Sequence, residues 1–95
     1  MGQYFDAGRA FYEVGSYERA IESLQSIPAD SSRASEATFL LGKIFLERGL
    51  LARARQKLAT ILADPPQTRR DLEILAMLAQ AYEQSGDALT ALGLV

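Results

Sequence analysis

Two stretches of this 95-residue sequence carry one chemical theme: Phe5, Arg9 and Tyr12, then Phe39, Lys43 and Leu46 placed 34 residues later. Steps of four and three residues put each trio on one face of a helix. An aromatic flanked by a cation on such a face suits an apolar peptide or helix that carries a carboxylate. A plainer arrangement stays open, in which Phe5 and Phe39 pack between neighbouring helices while Arg9 and Lys43 are solvated.

Little else in the chain suggests chemistry. It has no Cys, His, Trp or Asn, so disulfides and thiolate metal sites are excluded. Catalysis would have to use carboxylates, Lys, Tyr or Ser. Carboxylate pairs such as Glu18/Glu22 are helix-surface neighbours, and no phosphate loop, metal constellation or nucleophile–base set is present. The expectation is a protein that is not an enzyme and takes no cofactor.

The net charge of −2 and pI near 5.0 argue against nucleic acid, whose binding rests on neutralising phosphates. Two local clusters run the other way, Arg48/Arg53/Arg55/Lys57 and Arg69/Arg70. The first reads as a solvated face. In the second, flanking Asp71 and Glu73 supply local compensation for cations at a helix start. No apolar run approaches a membrane span, so membrane insertion is not expected. "MGQYFD" shows no signal peptide, and Asp6 breaks the myristoylation pattern. The compartment these features favour is the cytoplasm.

The elements that must position the two trios come from an internal repeat. Sliding the sequence by 34 residues pairs Phe5/Phe39, Gly8/Gly42, Phe11/Phe45, Glu13/Glu47, Gly15/Gly49, Arg19/Arg53, Ala20/Ala54, Leu24/Leu58, Ile27/Ile61, Ala29/Ala63 and Asp30/Asp64. Those eleven identities compare with roughly two or three for unrelated sequence. A third, incomplete copy follows at a spacing of 37, where Glu36, Leu41, Gly49 and Ala54 recur as Glu73, Leu78, Gly86 and Ala91. The extra residues fall in the Pro-containing stretch "DPPQTRRDL". One domain over 1–95 results, with repeat one at 1–34, repeat two at 35–68 and a partial repeat three at 72–95.

Each unit reads as helix, short turn, helix. Tyr4, Ala7, Gly8 and Phe11 share one face; the pattern restarts at Tyr17, Ala20, Ile21 and Leu24 and stops before Pro28. In the second unit the closing helix is expected to reach Leu62, before Asp64-Pro65-Pro66. Ser31 or Ser32 is a candidate N-cap for the third helix and Thr68 for the fifth. Gly15, Gly49 and Gly86 sit where a first helix ends, a position whose positive φ favours glycine. Gly8 and Gly42 lie mid-helix, facing Ala20 and Ala54 of the partner helix, and a Leu at 42 should overpack that contact. The fold class is all-α.

These residues resemble the tetratricopeptide repeat, whose signature is W-x2-L-G-x2-Y, then A-x3-F, then P. The copies read Tyr4-x2-Ala7-Gly8-x2-Phe11 with Ala20-x3-Leu24, Thr38-x2-Leu41-Gly42-x2-Phe45 with Ala54-x3-Leu58 and Pro66, and Leu75-x2-Leu78-Ala79-x2-Tyr82 with Ala91-x3-Val95. Ser32 replaces the first repeat's Pro and Ala79 a Gly. The resemblance implies an α-solenoid of antiparallel helix pairs, about six helices in a right-handed superhelix. It also implies a concave groove lined by first helices, whose positions here are Phe5, Arg9, Tyr12, Phe39, Lys43, Leu46, Ala76, Gln80 and Glu83. Family members that grip a terminal carboxylate use asparagines beside basic residues, and a chain without Asn lacks that full set.

The end "DALTALGLV" is apolar where a stack of repeats needs a solvating cap. Either the chain is a piece of a longer array, or Leu89, Leu92, Leu94 and Val95 form a self-association edge. The leading expectation is a non-catalytic interaction module, part of a larger protein or assembly, that binds a protein or peptide in its groove. The alternative is a homo-oligomerisation element, a homodimer through that C-terminal edge.

Overall fold

A computed structural model gives the structure of the chain and describes residues 3–63 and 65–84. Five helices occupy them: α1 (Gln3–Glu13), α2 (Tyr17–Gln25), α3 (Ala34–Glu47), α4 (Leu51–Ala59) and α5 (Arg69–Gln84). No strand occurs among the described residues. Helix α1 packs on α2 and α3 on α4, while α2–α3 and α4–α5 contacts join the pairs into a stack. Three-residue connections reverse the chain within each pair, which makes the partners antiparallel neighbours. The sixth helix, Gly86, and the edge residues Leu89, Leu92, Leu94 and Val95 lie outside the described residues.

The reversals rest on glycine. Gly15 has φ +81° and Gly49 φ +75°. In the first turn the Gly15 N–H donates to the Tyr12 carbonyl at 3.0 Å and the Ser16 N–H to that of Phe11 at 2.8 Å. The second turn repeats this, with Gly49 on Leu46 at 3.1 Å and Leu50 on Phe45 at 2.8 Å. This paired bonding satisfies carbonyls that a helix end otherwise leaves bare.

Each pair closes over one leucine. Leu24 and Leu58 are 2% and 0% exposed, beside Ala20 and Ala54 at 0%. The close approach expected at Gly8 and Gly42 is made first by these leucines, with the expected partner Ala20 second at Gly8. A Cβ on Gly8 would stand 2.6 Å from the Leu24 Cγ and only 3.4 Å from the Ala20 carbonyl oxygen; at Gly42 the three nearest atoms all belong to Leu58. Burying each leucine stabilises the fold by about 1.5–3 kcal/mol. Ala37, Leu40, Leu41, Ile44 and Phe45 of α3 join both pairs into one core.

Helix ends differ from expectation in two places. Residue Arg33, not Ser31 or Ser32, holds the N-cap position of α3; the Ser31 hydroxyl accepts the Arg33 N–H at 3.1 Å in the turn before it. Helix α4 ends at Ala59 instead of reaching Leu62. There the Thr60 hydroxyl and N–H both donate to the Lys57 carbonyl, and Ile61 donates to Leu58, tightening the chain into three-residue steps. Ser26 and Ile27 close α2 by the same backbone steps.

Thr68 caps the start of α5, as expected. Its hydroxyl accepts the Asp71 N–H at 3.2 Å while the Asp71 carboxylate accepts the Thr68 N–H at 3.1 Å, a reciprocal cap. That carboxylate also accepts the N–H groups of Gln67 at 2.8 Å and Ala63 at 3.3 Å, and the residue is buried at 3% exposure. Asp71 therefore ties the end of repeat two to the start of α5. It is not the surface counter-charge its neighbours Arg69 and Arg70 suggested.

Candidate functional site

Helices α1, α3 and α5 place the two trios side by side. Phe5, Arg9, Tyr12, Phe39 and Lys43 line one cavity of about 380 Å³, together with Glu13, Glu36, Leu40 and Arg70. Lys43 and Leu46 line a second of about 390 Å³ with Glu47, Met77, Gln80, Ala81 and Gln84. Lys43 stands in the wall of both, so the two cavities are neighbours along the first helices. Glu83 and Ala76 are exposed and line neither cavity.

The aromatic residues differ in what they can offer. Phe5 is 7% exposed and sits in the core cluster, with the Arg33 guanidinium 4.8 Å from its ring centre. Phe39 is half-buried and open to the cavity. Lys43 Nζ lies 5.8 Å from the Tyr12 ring centre and 5.9 Å from that of Phe39, bridging α1 and α3 over two π faces. Tyr12 stacks on Tyr17 at 5.9 Å. Burial, then a hydrogen bond and the like charge of Glu47, push the Tyr12 phenol up to about 12. Tyr12 thus links α1 to the end of α3 in its neutral form.

The cations also divide. Arg9 is engaged by Glu13 at 3.3 Å and Arg33 by Glu36 at 3.1 Å, both exposed pairs of small energetic weight. Arg70 donates to the Ser35 hydroxyl at 3.3 Å, and its Nε is buried with no acceptor. Arg48, exposed as expected, pairs with Glu18 across the repeats. Arg19 over Phe11 and Arg53 over Phe45, each 5.9 Å away, repeat one contact in both units.

Several lining residues escaped the sequence reading. Glu47 had a usable signal, since it matches Glu13 across the repeat and follows Lys43 by four residues as Glu13 follows Arg9. Met77, Ala81 and Gln84 extend the α5 face of Gln80 by steps of three, one and four residues. Arg70 had two signals, since it stood out in the Arg69/Arg70 cluster and precedes Met77 by seven residues, a same-face spacing. No group of His, Cys, Asp or Glu able to hold a metal occurs among the described residues, and none of their helices is long and apolar enough to cross a membrane.

No match was found among curated proteins or among solved structures. A family model of the tetratricopeptide repeat does match, over residues 5–69, which span α1 through α4 and the approach to α5. With its repeating helix pairs, glycine reversals and 34-residue period, the chain belongs to the tetratricopeptide repeat family.

Proposed function

We propose that the chain holds a peptide or a helix of a partner protein in the depression across α1, α3 and α5. Tetratricopeptide repeats mediate protein–protein interaction and are not catalytic. What supports the groove over other surfaces is a single observation: two cavities that share Lys43 are lined by residues of the first helices, with Phe39 and Leu46 half-buried among them. Such a surface offers apolar contact at its floor and charge along its walls, the pattern of a pocket that fixes a ligand's register. Nucleic acid does not fit this reading, because the chain as a whole is acidic.

The test is affinity for a peptide selected from a random library. Arg9→Glu together with Lys43→Glu should retain helical circular dichroism and weaken binding at least tenfold, about 1.4 kcal/mol. Unchanged affinity would place the interface elsewhere.

A second reading is pairing of two copies; the C-terminal edge of Leu89, Leu92, Leu94 and Val95 lies outside the described residues, and the exposed Leu72 and Leu75 of α5, at 61% and 41%, offer an apolar surface for it. Light-scattering mass across a concentration series separates it: a constant 10.4 kDa rejects pairing, and a mass near twice that supports it.

A further inference from the structure

Of the cations that line the first cavity, Arg9 has a carboxylate partner in Glu13. The other carboxylate in that lining, Glu36, is engaged by Arg33. Lys43 and Arg70 have none within ion-pair reach among the described residues. Lys43 rests on two aromatic faces. Arg70 is less well satisfied. It is half-buried, makes one long hydrogen bond to Ser35, and keeps a buried Nε that meets no acceptor. Its neighbour Asp71 cannot serve, since that carboxylate is occupied by the N–H groups of Ala63, Gln67 and Thr68. Buried donors in folded proteins are paired almost without exception, and a guanidinium has a fixed fork suited to a carboxylate.

We propose that Arg70, with Lys43, is the anion anchor of the groove and that it receives an acidic side chain, Asp or Glu, from within a bound peptide. Arg9, which the sequence favoured for this role, is exposed and already has Glu13 as a partner, whereas Arg70 is half-buried with no such partner among the described residues. A side chain is favoured over a chain terminus by the shape of the site. A second cavity lies on the far side of Lys43, and a segment that occupies both passes the anchor instead of ending on it. Phe39 beside the anchor receives the adjoining apolar residue. The preferred ligand is therefore an aromatic or large aliphatic residue close to an Asp or Glu.

This inference rests on the groove reading, and one experiment separates the two. The probe is a displayed library of random twelve-residue peptides without free C-termini, selected in parallel on the wild-type chain, Arg70→Gln and Arg9→Gln. The expected result is enrichment of Asp or Glu near an apolar residue on the wild type and on Arg9→Gln. On Arg70→Gln the acidic enrichment should be lost while the apolar preference persists. Acidic enrichment that survives in Arg70→Gln, or binders without acids on the wild type, would overturn the role of Arg70 and leave the groove intact. No wild-type binders at all would overturn the groove itself. Stability gives an independent arm. Arg70→Met keeps the length of the side chain and removes the unsatisfied donor, so it should melt no lower than the wild type. A lower Tm would mark Arg70 as a structural residue and contradict the inference.

Discussion

Gly42 lies directly against Leu58, so closely that a single added methyl group would stand 2.5 Å from the leucine Cγ. Leu58 is wholly buried, so any shift of its side chain presses on the core around it. Gly8 and Leu24 repeat the relationship 34 residues earlier. These glycines set how near the two helices of a pair approach, and that distance fixes how one first helix lies beside the next.

Gly42→Ala should therefore destabilise the chain even though alanine is the better helix former. Forcing the contact costs about 1–3 kcal/mol, against about 1 kcal/mol gained in propensity. Urea unfolding should show a lower midpoint, and Gly42→Leu a still lower one. An unchanged or raised midpoint for Gly42→Ala would mean the pair can open without loss.

Gly15 is retained for a different reason, which a second substitution exposes. Nothing lies within 4 Å of an added Cβ there, and only its φ of +81° is demanding. Gly15→Ala should lose about 1–2 kcal/mol through backbone strain alone. Gly15→Asn should recover part of that loss, since Asn tolerates the left-handed region. Asn at 42 should recover nothing.

Acid should loosen the junction between α4 and α5. Hydrogen bonds from Gln67 above all, then Ala63 and Thr68, hold the Asp71 carboxyl below its ordinary 3.8. A carboxylate lowered on folding contributes stability that is present above that ordinary value and lost as pH falls through the folded one. Thermal melts below about pH 4 should show a declining Tm in the wild type. Asp71→Asn should be less stable at neutral pH and flatter across the acid range. Equal acid slopes in both proteins would show that other carboxylates govern the transition.

Tyr12 should report the contact between α1 and α3. Its phenol is pushed up from 10.0 to about 12, with burial the largest cause and Glu47 next. Ultraviolet titration of phenolate in Glu47→Gln should find this group ionising at lower pH, while still above its ordinary value. No shift would mean that burial alone holds the proton.

The all-α class, the helix pairs and the φ of Gly15 and Gly49 were legible in the sequence, because each depends on residues within a few turns of one another. A 34-residue identity pattern amplified those local signals. What escaped depends on contacts between units. Arg48 reaches Glu18 across thirty positions and Arg70 reaches Ser35 across thirty-five, and no helical period encodes either. Asp71 misled for a related reason: preceded by two arginines, it looked like a surface counter-charge, yet the turn folds its backbone donors onto it. Lys43 and Phe39 were visible as a face, but only the position of α5 reveals the second cavity that Lys43 shares with Met77 and Gln80. The C-terminal edge lies beyond the described residues and was legible only as an apolar composition.

The central claim is that ligands lie along α1, α3 and α5, and amide chemical-shift mapping tests it most directly. The isotope-labelled chain would be titrated with the tightest library-selected peptide. The account predicts saturable shifts at Tyr12, Phe39, Lys43, Leu46, Met77 and Gln80, with the outer faces of α2 and α4 little changed. Shifts confined to α2 and α4 would contradict it and place the interface on the opposite side of the stack.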